Sequence, residues 1–211
     1  MNAFIRVYQF NYIKGQVQNL VNGHSTAKDE SVLNTIKSMA IERVSALFPN
    51  MNEEQKQLFQ PITSIDDKEK AERFIDQLKP YVIPFNVTEQ GIKKLFPKVK
   101  KLKIPALEDI DLREISYFSW VDYSANKKYI VIRRDKKLIG LQGSFTTSNQ
   151  KGICSICNSY EDVGMFLVKK KGNVQGNFIK RGNYICQDSK TCNHNLMSLD
   201  KLYEFVERLN G

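Results

Sequence analysis

Over the first 97 residues apolar positions recur every three or four residues, the spacing of one face of an α-helix. Phe10, Ile13, Val17, Leu20 and Val21 form the first stripe, which Gly23 is expected to stop. Leu33, Ile36, Ala40, Val44 and Leu47 form the second, ended by Pro49, whose ring and missing N–H cannot continue a helix. A short segment from Glu53 to Phe59 precedes Pro61. Ser64 and Asp67 then offer caps to a helix carrying Ala71, Phe74, Ile75 and Leu78, and Thr88 offers one to a last short helix with Ile92, Leu95 and Phe96, closed by Pro97. Stripes of this kind are core faces rather than cofactor pockets, so residues 1–97 are expected to form a helical bundle.

Beyond Pro97 the period changes. Residues 98–111 run from the basic, alternating Lys98-Val99-Lys100-Lys101-Leu102-Lys103-Ile104-Pro105 into the acidic Glu108-Asp109-Ile110-Asp111. They read as a connector, with Val99, Leu102 and Ile104 packed on a neighbouring surface and the lysines in solvent. Residues 112–211 are β-rich. Lys128–Ile132 and Leu138–Phe145 flank Arg133–Lys137 as a hairpin. A second pair, Val163–Val168 and Phe178–Cys186, is joined by the Gly-containing stretch 169–177. The only tryptophan, Trp120, is expected in the small core of this domain, near Tyr117 and Phe118. Ser198 can cap a closing helix whose apolar face is Leu199, Leu202, Phe205, Val206 and Leu209.

Composition sharpens this division. The hydrophobic fraction of 41% suffices for a core, and no apolar run approaches the ~20 residues that cross a bilayer. The net charge of +9 is uneven: residues 1–111 hold 16 Lys/Arg against 14 Asp/Glu, and residues 112–211 hold 16 against 9. The opening Met-Asn-Ala-Phe-Ile-Arg-Val has no apolar core of signal-peptide length, so a cytoplasmic protein with reduced thiols is expected.

Those thiols are the principal chemical feature. The chain has four cysteines, Cys154, Cys157, Cys186 and Cys192, in two close pairs around one expected hairpin. Cys154 and Cys157 form a Cys-x-x-Cys knuckle, a tight turn able to aim both sulfurs at one ion. The polar turn Gln187–Thr191 leads from Cys186 to Cys192. Two disulfides would need an oxidising compartment, and four unrelated buried thiols would not be expected to cluster. A treble-clef-like finger with one structural Zn2+ accounts for the spacing, with His194 as a substitute for Cys192. Four thiolates leave no open coordination position for water. There is no Gly-rich phosphate loop, and Lys169-Lys170-Lys171 before Gly172 does not make a Walker motif. With two histidines in the chain, Ser-His-Asp chemistry has little to build on. The protein is expected to act by binding, not as an enzyme. A thiol oxidoreductase would instead show labile zinc and turnover of a disulfide.

Lys151-Gly152-Ile153-Cys154-Ser155-Ile156-Cys157-Asn158, Arg181-Gly182-Asn183-Tyr184-Ile185-Cys186-Gln187-Asp188-Ser189 and Cys192-Asn193 together resemble the FusB-type fusidic acid resistance proteins, which bind elongation factor G. The stretch from Lys98 to Pro105, and Trp120 followed by Ser124-Ala125-Asn126-Lys127-Lys128-Tyr129-Ile130, are similar to the same family. The resemblance implies an α+β chain, a helical bundle followed by a treble-clef zinc domain. It implies a monomer that contacts elongation factor G transiently on the ribosome and promotes its release when fusidic acid has stalled it, leaving the drug unaltered. It also implies partner contacts at Ile153, Arg181 and Tyr184, with Ile153 departing from the aromatic residue expected there. Arg181 would meet an acidic patch and Tyr184 would be a rigid anchor. The rival reading is a basic zinc finger that binds RNA or the ribosome directly, with Tyr184 and Phe178 stacking on bases and lysines on phosphates.

Overall fold

The computed structural model describes residues 1–27, 29–171 and 178–210. It divides into two compact units, Met1–Ile83 and Pro84–Gly211.

The first unit is helical: α1 (Val7–Thr26), α2 (Glu30–Ala46), α3 (Glu53–Phe59) and α4 (Lys68–Leu78). The apolar stripes read from the sequence meet in one core, with Phe10, Ile13, Val17 and Leu20 of α1 against Ala40 and Val44 of α2 and Phe74 and Leu78 of α4. The helix starts follow side-chain chemistry. Asp29 accepts from Ser31 N, Asn52 from Gln55 N and Asp67 from Lys70 N, each satisfying a main-chain donor left open in a first turn. Ser64 caps nothing; its hydroxyl donates to Pro61 O within a single 3-10 turn, Gln60–Ser64. Gly23 does not stop α1, which continues to Thr26. A Cβ at Gly23 would lie 2.9 Å from Ile36 Cδ1, so the glycine lets α2 approach α1 closely. Asp67→Ala should lower stability by about 1 kcal/mol, read as a shifted denaturation midpoint of the helical unit with zinc content unchanged.

The second unit begins thirteen residues before Pro97. The helix α5 (Glu89–Leu95), capped by Thr88, belongs to it. Ile92 and Phe96 are buried with Phe118, Trp120, Tyr129 and Val131, and Phe96 meets Trp120 and Tyr129 edge-on at 6.1 and 5.1 Å between ring centroids. Val99, Leu102 and Ile104 pack on the same cluster, as the alternation in the connector predicts. Helical period alone had grouped α5 with the other helices; its apolar face is instead covered by a sheet.

That sheet is an antiparallel meander in sequential order, β1 (Phe118–Asp122), β2 (Lys127–Arg134), β3 (Lys137–Ile153), β4 (Tyr160–Lys171) and β5 (Phe178–Cys186). Both faces of β2 are covered. Tyr129 and Val131 face the α5 side, while Ile130 and Ile132 face a second core closed by α6 (Ser189–Asn195) and α7 (Asp200–Asn210). Covering on both sides explains why this strand reads as a continuous apolar run. The β2–β3 turn tightens to Asp135-Lys136, with Asp135 at φ 53°. Strand β3 extends well past Phe145 through an irregularity between Thr147 and Lys151 to reach the knuckle. The connection expected over 169–177 lies outside the described residues at 172–177; β4 runs on through Lys171. Among the described residues no helix is long and apolar enough to cross a membrane.

Candidate metal centre and docking face

Each cysteine is carried by a different piece of local structure, or by a different end of one. Cys154 and Cys157 sit in the knuckle after β3, where Asn158 at φ 60° reverses the chain and Cys154 N donates to Ser159 O at 3.0 Å. Ser155 N donates to Tyr184 O at 2.9 Å, fastening the knuckle to β5, which ends at Cys186. Asp188 caps α6 by accepting from Lys190 N and Thr191 N, so Gln187–Thr191 is partly the first turn of a helix that presents Cys192. The next residue locks that helix down. Asn193 Oδ1 accepts from Ser116 N at 2.7 Å and Tyr117 N at 3.2 Å, and its Nδ2 donates to Tyr117 O at 3.0 Å.

All four sulfurs are buried and lie within 4.8 Å of one another. Cys154 Sγ and Cys192 Sγ are 3.7 Å apart, as are Cys157 Sγ and Cys186 Sγ. Four sulfurs each ~2.3 Å from a central zinc would be separated by about 3.8 Å, so these distances suit a tetrahedral cage, whereas a disulfide would need about 2 Å. Two main-chain groups also point at sulfur: Ile156 N and Cys186 N donate to Cys154 Sγ at 3.4 and 3.3 Å. The thiols cannot all ionise unaided. Hydrogen bonding with Cys157, Cys186 and Cys192 holds the Cys154 thiol far below its ordinary range, while contact with the Cys154 sulfur pushes Cys186 and Cys192 up. A divalent cation resolves the conflict by favouring every thiolate at once. His194 is exposed on α6 and outside the cluster, since two positions along a helix turn a side chain roughly 200° from Cys192.

Three large side chains close to the cage in the chain are exposed. Ile153 and Tyr160 are register partners flanking the knuckle and are 57% and 65% exposed. Tyr184 is 45% exposed and pairs across β4 with Met165. Farther along the same strands Lys169 Nζ lies 3.8 Å from the centre of the Phe178 ring. Arg181 is placed differently. It has the parity of buried Ile185, and its guanidinium donates to Arg208 O at the end of α7 at 3.1 Å. Tyr184 and Arg181 therefore project to opposite faces of β5, the terminal strand of the sheet. Tyr160 was not singled out from the sequence. Its signal was symmetry: it is the first residue of β4 as Ile153 is the last of β3.

Comparison with known proteins agrees with this anatomy. Residues 4–86 match the family model described as elongation factor G-binding protein, N-terminal, and residues 96–205 match the FBP C-terminal treble-clef zinc-finger. The solved structure of the fusidic acid resistance protein FusC is similar over 97% of both chains, with a TM-score of 0.86 and 38% sequence identity. No curated protein matches. The four-cysteine cage is thus a single structural zinc site in a treble clef. A helical unit followed by this finger, and a likeness that runs from end to end, place the chain in the FusB-type family of fusidic acid resistance and elongation factor G-binding proteins.

Proposed function

We propose that the protein binds elongation factor G through its zinc-bearing unit and promotes the factor's release from ribosomes stalled by fusidic acid, without modifying the drug. The observation that carries this reading is that Ile153 and Tyr160 at the knuckle, and Tyr184 on the strand that holds it, are exposed to solvent yet carried by backbone fastened to the buried cysteine cage. Aromatic side chains on a rigid support supply contact area at small entropic cost, which suits an anchor in a protein interface. The surplus of basic residues over 112–211 complements an acidic partner and would steer its approach. A partner gripping β5, the terminal strand, would meet Tyr184 on one face and Arg181 on the other. To drive release, the protein must contact the departing conformation of the factor more tightly than the stalled one; equal affinity would shift nothing.

Mixing the purified chain with elongation factor G at moderate salt should give a stoichiometric complex on size exclusion. Adding it to ribosomes held with the factor, GDP and fusidic acid should move the factor into the ribosome-free fraction. Complex formation without that transfer would leave binding and remove the release role. One observation favours a second reading, direct RNA binding: Lys169 over Phe178 makes a cationic, aromatic pair of the kind that holds bases. Ribosomal RNA retained at the same salt, with no complex with the factor, would decide for that reading.

A further inference from the structure

Strand β2 buries a lysine beside the metal cage. Lys128 is 1% exposed, on the strand face it shares with Ile130 and Ile132. Its ammonium donates to Cys186 O at 3.2 Å and Gln187 O at 3.0 Å and stands 4.5 Å above the centre of the Phe145 ring. Among the described residues no Asp or Glu forms an ion pair with it. An ammonium removed from water is strongly disfavoured unless negative charge stands close by. Burial accordingly lowers its pKa to about 8, opposed by negative charge at Cys192, Cys186, Asp188 and Cys154.

A zinc ion neutralises half of the charge on four thiolates, leaving a dianionic cage in a desolvated core. That residual charge is what a buried ammonium lacks, and the ammonium is what the residual charge lacks. Geometry adds a mechanical part. The ligands come from the knuckle, the end of β5 and α6, whereas Lys128 comes from β2. Its two acceptors are the carbonyls of the third ligand and of the residue that follows it, so it ties the turn between Cys186 and α6 to a strand that bears no ligand.

We propose that Lys128 is the counter-cation of the zinc–thiolate cage, holding the metal by balancing its thiolates and fixing the chain at Cys186. It is a positioning residue of the metal site. A lysine held only for packing would leave metal retention indifferent to its charge.

Zinc is the probe, and the full-length, zinc-loaded chain is the material. Transfer of zinc to an excess of a chelating indicator is followed for the parent, Lys128→Met, Lys128→Gln and Lys128→Arg, with circular dichroism to establish that each is folded. Methionine keeps the length and loses the charge, glutamine keeps a donor without the charge, and arginine keeps both charge and donors. The Met and Gln variants should release zinc about tenfold faster or more, the range usual for loss of an outer partner of a metal ligand. The Arg variant should stay close to the parent. Should the Met variant not fold, the Gln variant carries the same comparison. Release at the parent's rate from either neutral variant, or an Arg variant that releases as fast as they do, overturns the proposal.

Discussion

Cys186→Ser should abolish stoichiometric zinc binding and unfold Pro84–Gly211 at temperatures where the parent is intact, while Met1–Ile83 stays helical. The magnitudes favour this outcome. Structural zinc contributes ~10 kcal/mol or more of folding free energy to small fingers, and a whole domain is typically stable by only about 5–15 kcal/mol. Losing one ligand of four forfeits only part of the metal term, yet the remaining sulfurs are then buried thiols in contact with one another. The second core does not stand apart from the cage: Cys154, Cys157, Cys186 and Cys192 lie within the same cluster as Phe145, Phe166, Ile185 and Phe205. Loosening the cage therefore opens the packing between the sheet and α7, where Phe166 and Phe205 rings are 6.0 Å apart. The helical unit keeps its own core of Ile13, Leu20, Phe74 and Leu78, which includes no metal ligand. Thermal unfolding followed by circular dichroism, with zinc quantified on the same samples, should show a helical transition that persists and a second one that disappears. Cys154→Ser should behave alike. A serine variant that retains one zinc per chain and the parent's melting would refute the cage as the main support of this unit.

What was legible in the chain was what local chemistry decides. Asp67 and Thr88 mark helix starts because a short oxygen-bearing side chain can reach a donor three residues on, and both do so. The four cysteines could be assigned to one site because thiol chemistry under reducing conditions leaves few reasons for two close pairs. Allegiance was not legible. The stripe of α5 says that Ile92 must be covered and not by what; burial against Trp120 and Tyr129 depends on β1, a strand the sequence did not announce. The sequence puts Trp120 in a core without giving it an element, because five residues of mixed character carry too short an alternation to count. Likewise α6 is short and polar at its start, so Ser189-Lys190-Thr191 reads as a turn although Asp188 makes it the first turn of a helix. Lys128 is the clearest case. The pattern places it in a strand without showing that it is buried, and its burial follows only once β2 is found covered on both faces beside the thiols.

The placement of the exposed residues beside the cage was half legible for the same reason. Tyr184 and Arg181 are three residues apart, and strand parity sends them to opposite faces, which gives the two residues different expected roles. Tyr184→Ala and Tyr160→Ala should each weaken the complex with elongation factor G by about 1–3 kcal/mol, roughly 5- to 150-fold in Kd, with zinc content and melting unchanged. Both rings are solvent-exposed, so truncation leaves no cavity in the core and frees no buried partner. Arg181→Ala differs, since the guanidinium is spent in part on Arg208 O and its loss uncaps the end of α7. Its effect on affinity should be the smaller and should come with a lowered melting temperature. Titration calorimetry against the purified factor, run beside a thermal melt for each variant, separates the two patterns. If Tyr160→Ala and Tyr184→Ala both bind as the parent does, the face beside the metal cage is not the interface, and the recognition surface must be sought elsewhere on the chain, beginning with the helices of Met1–Ile83.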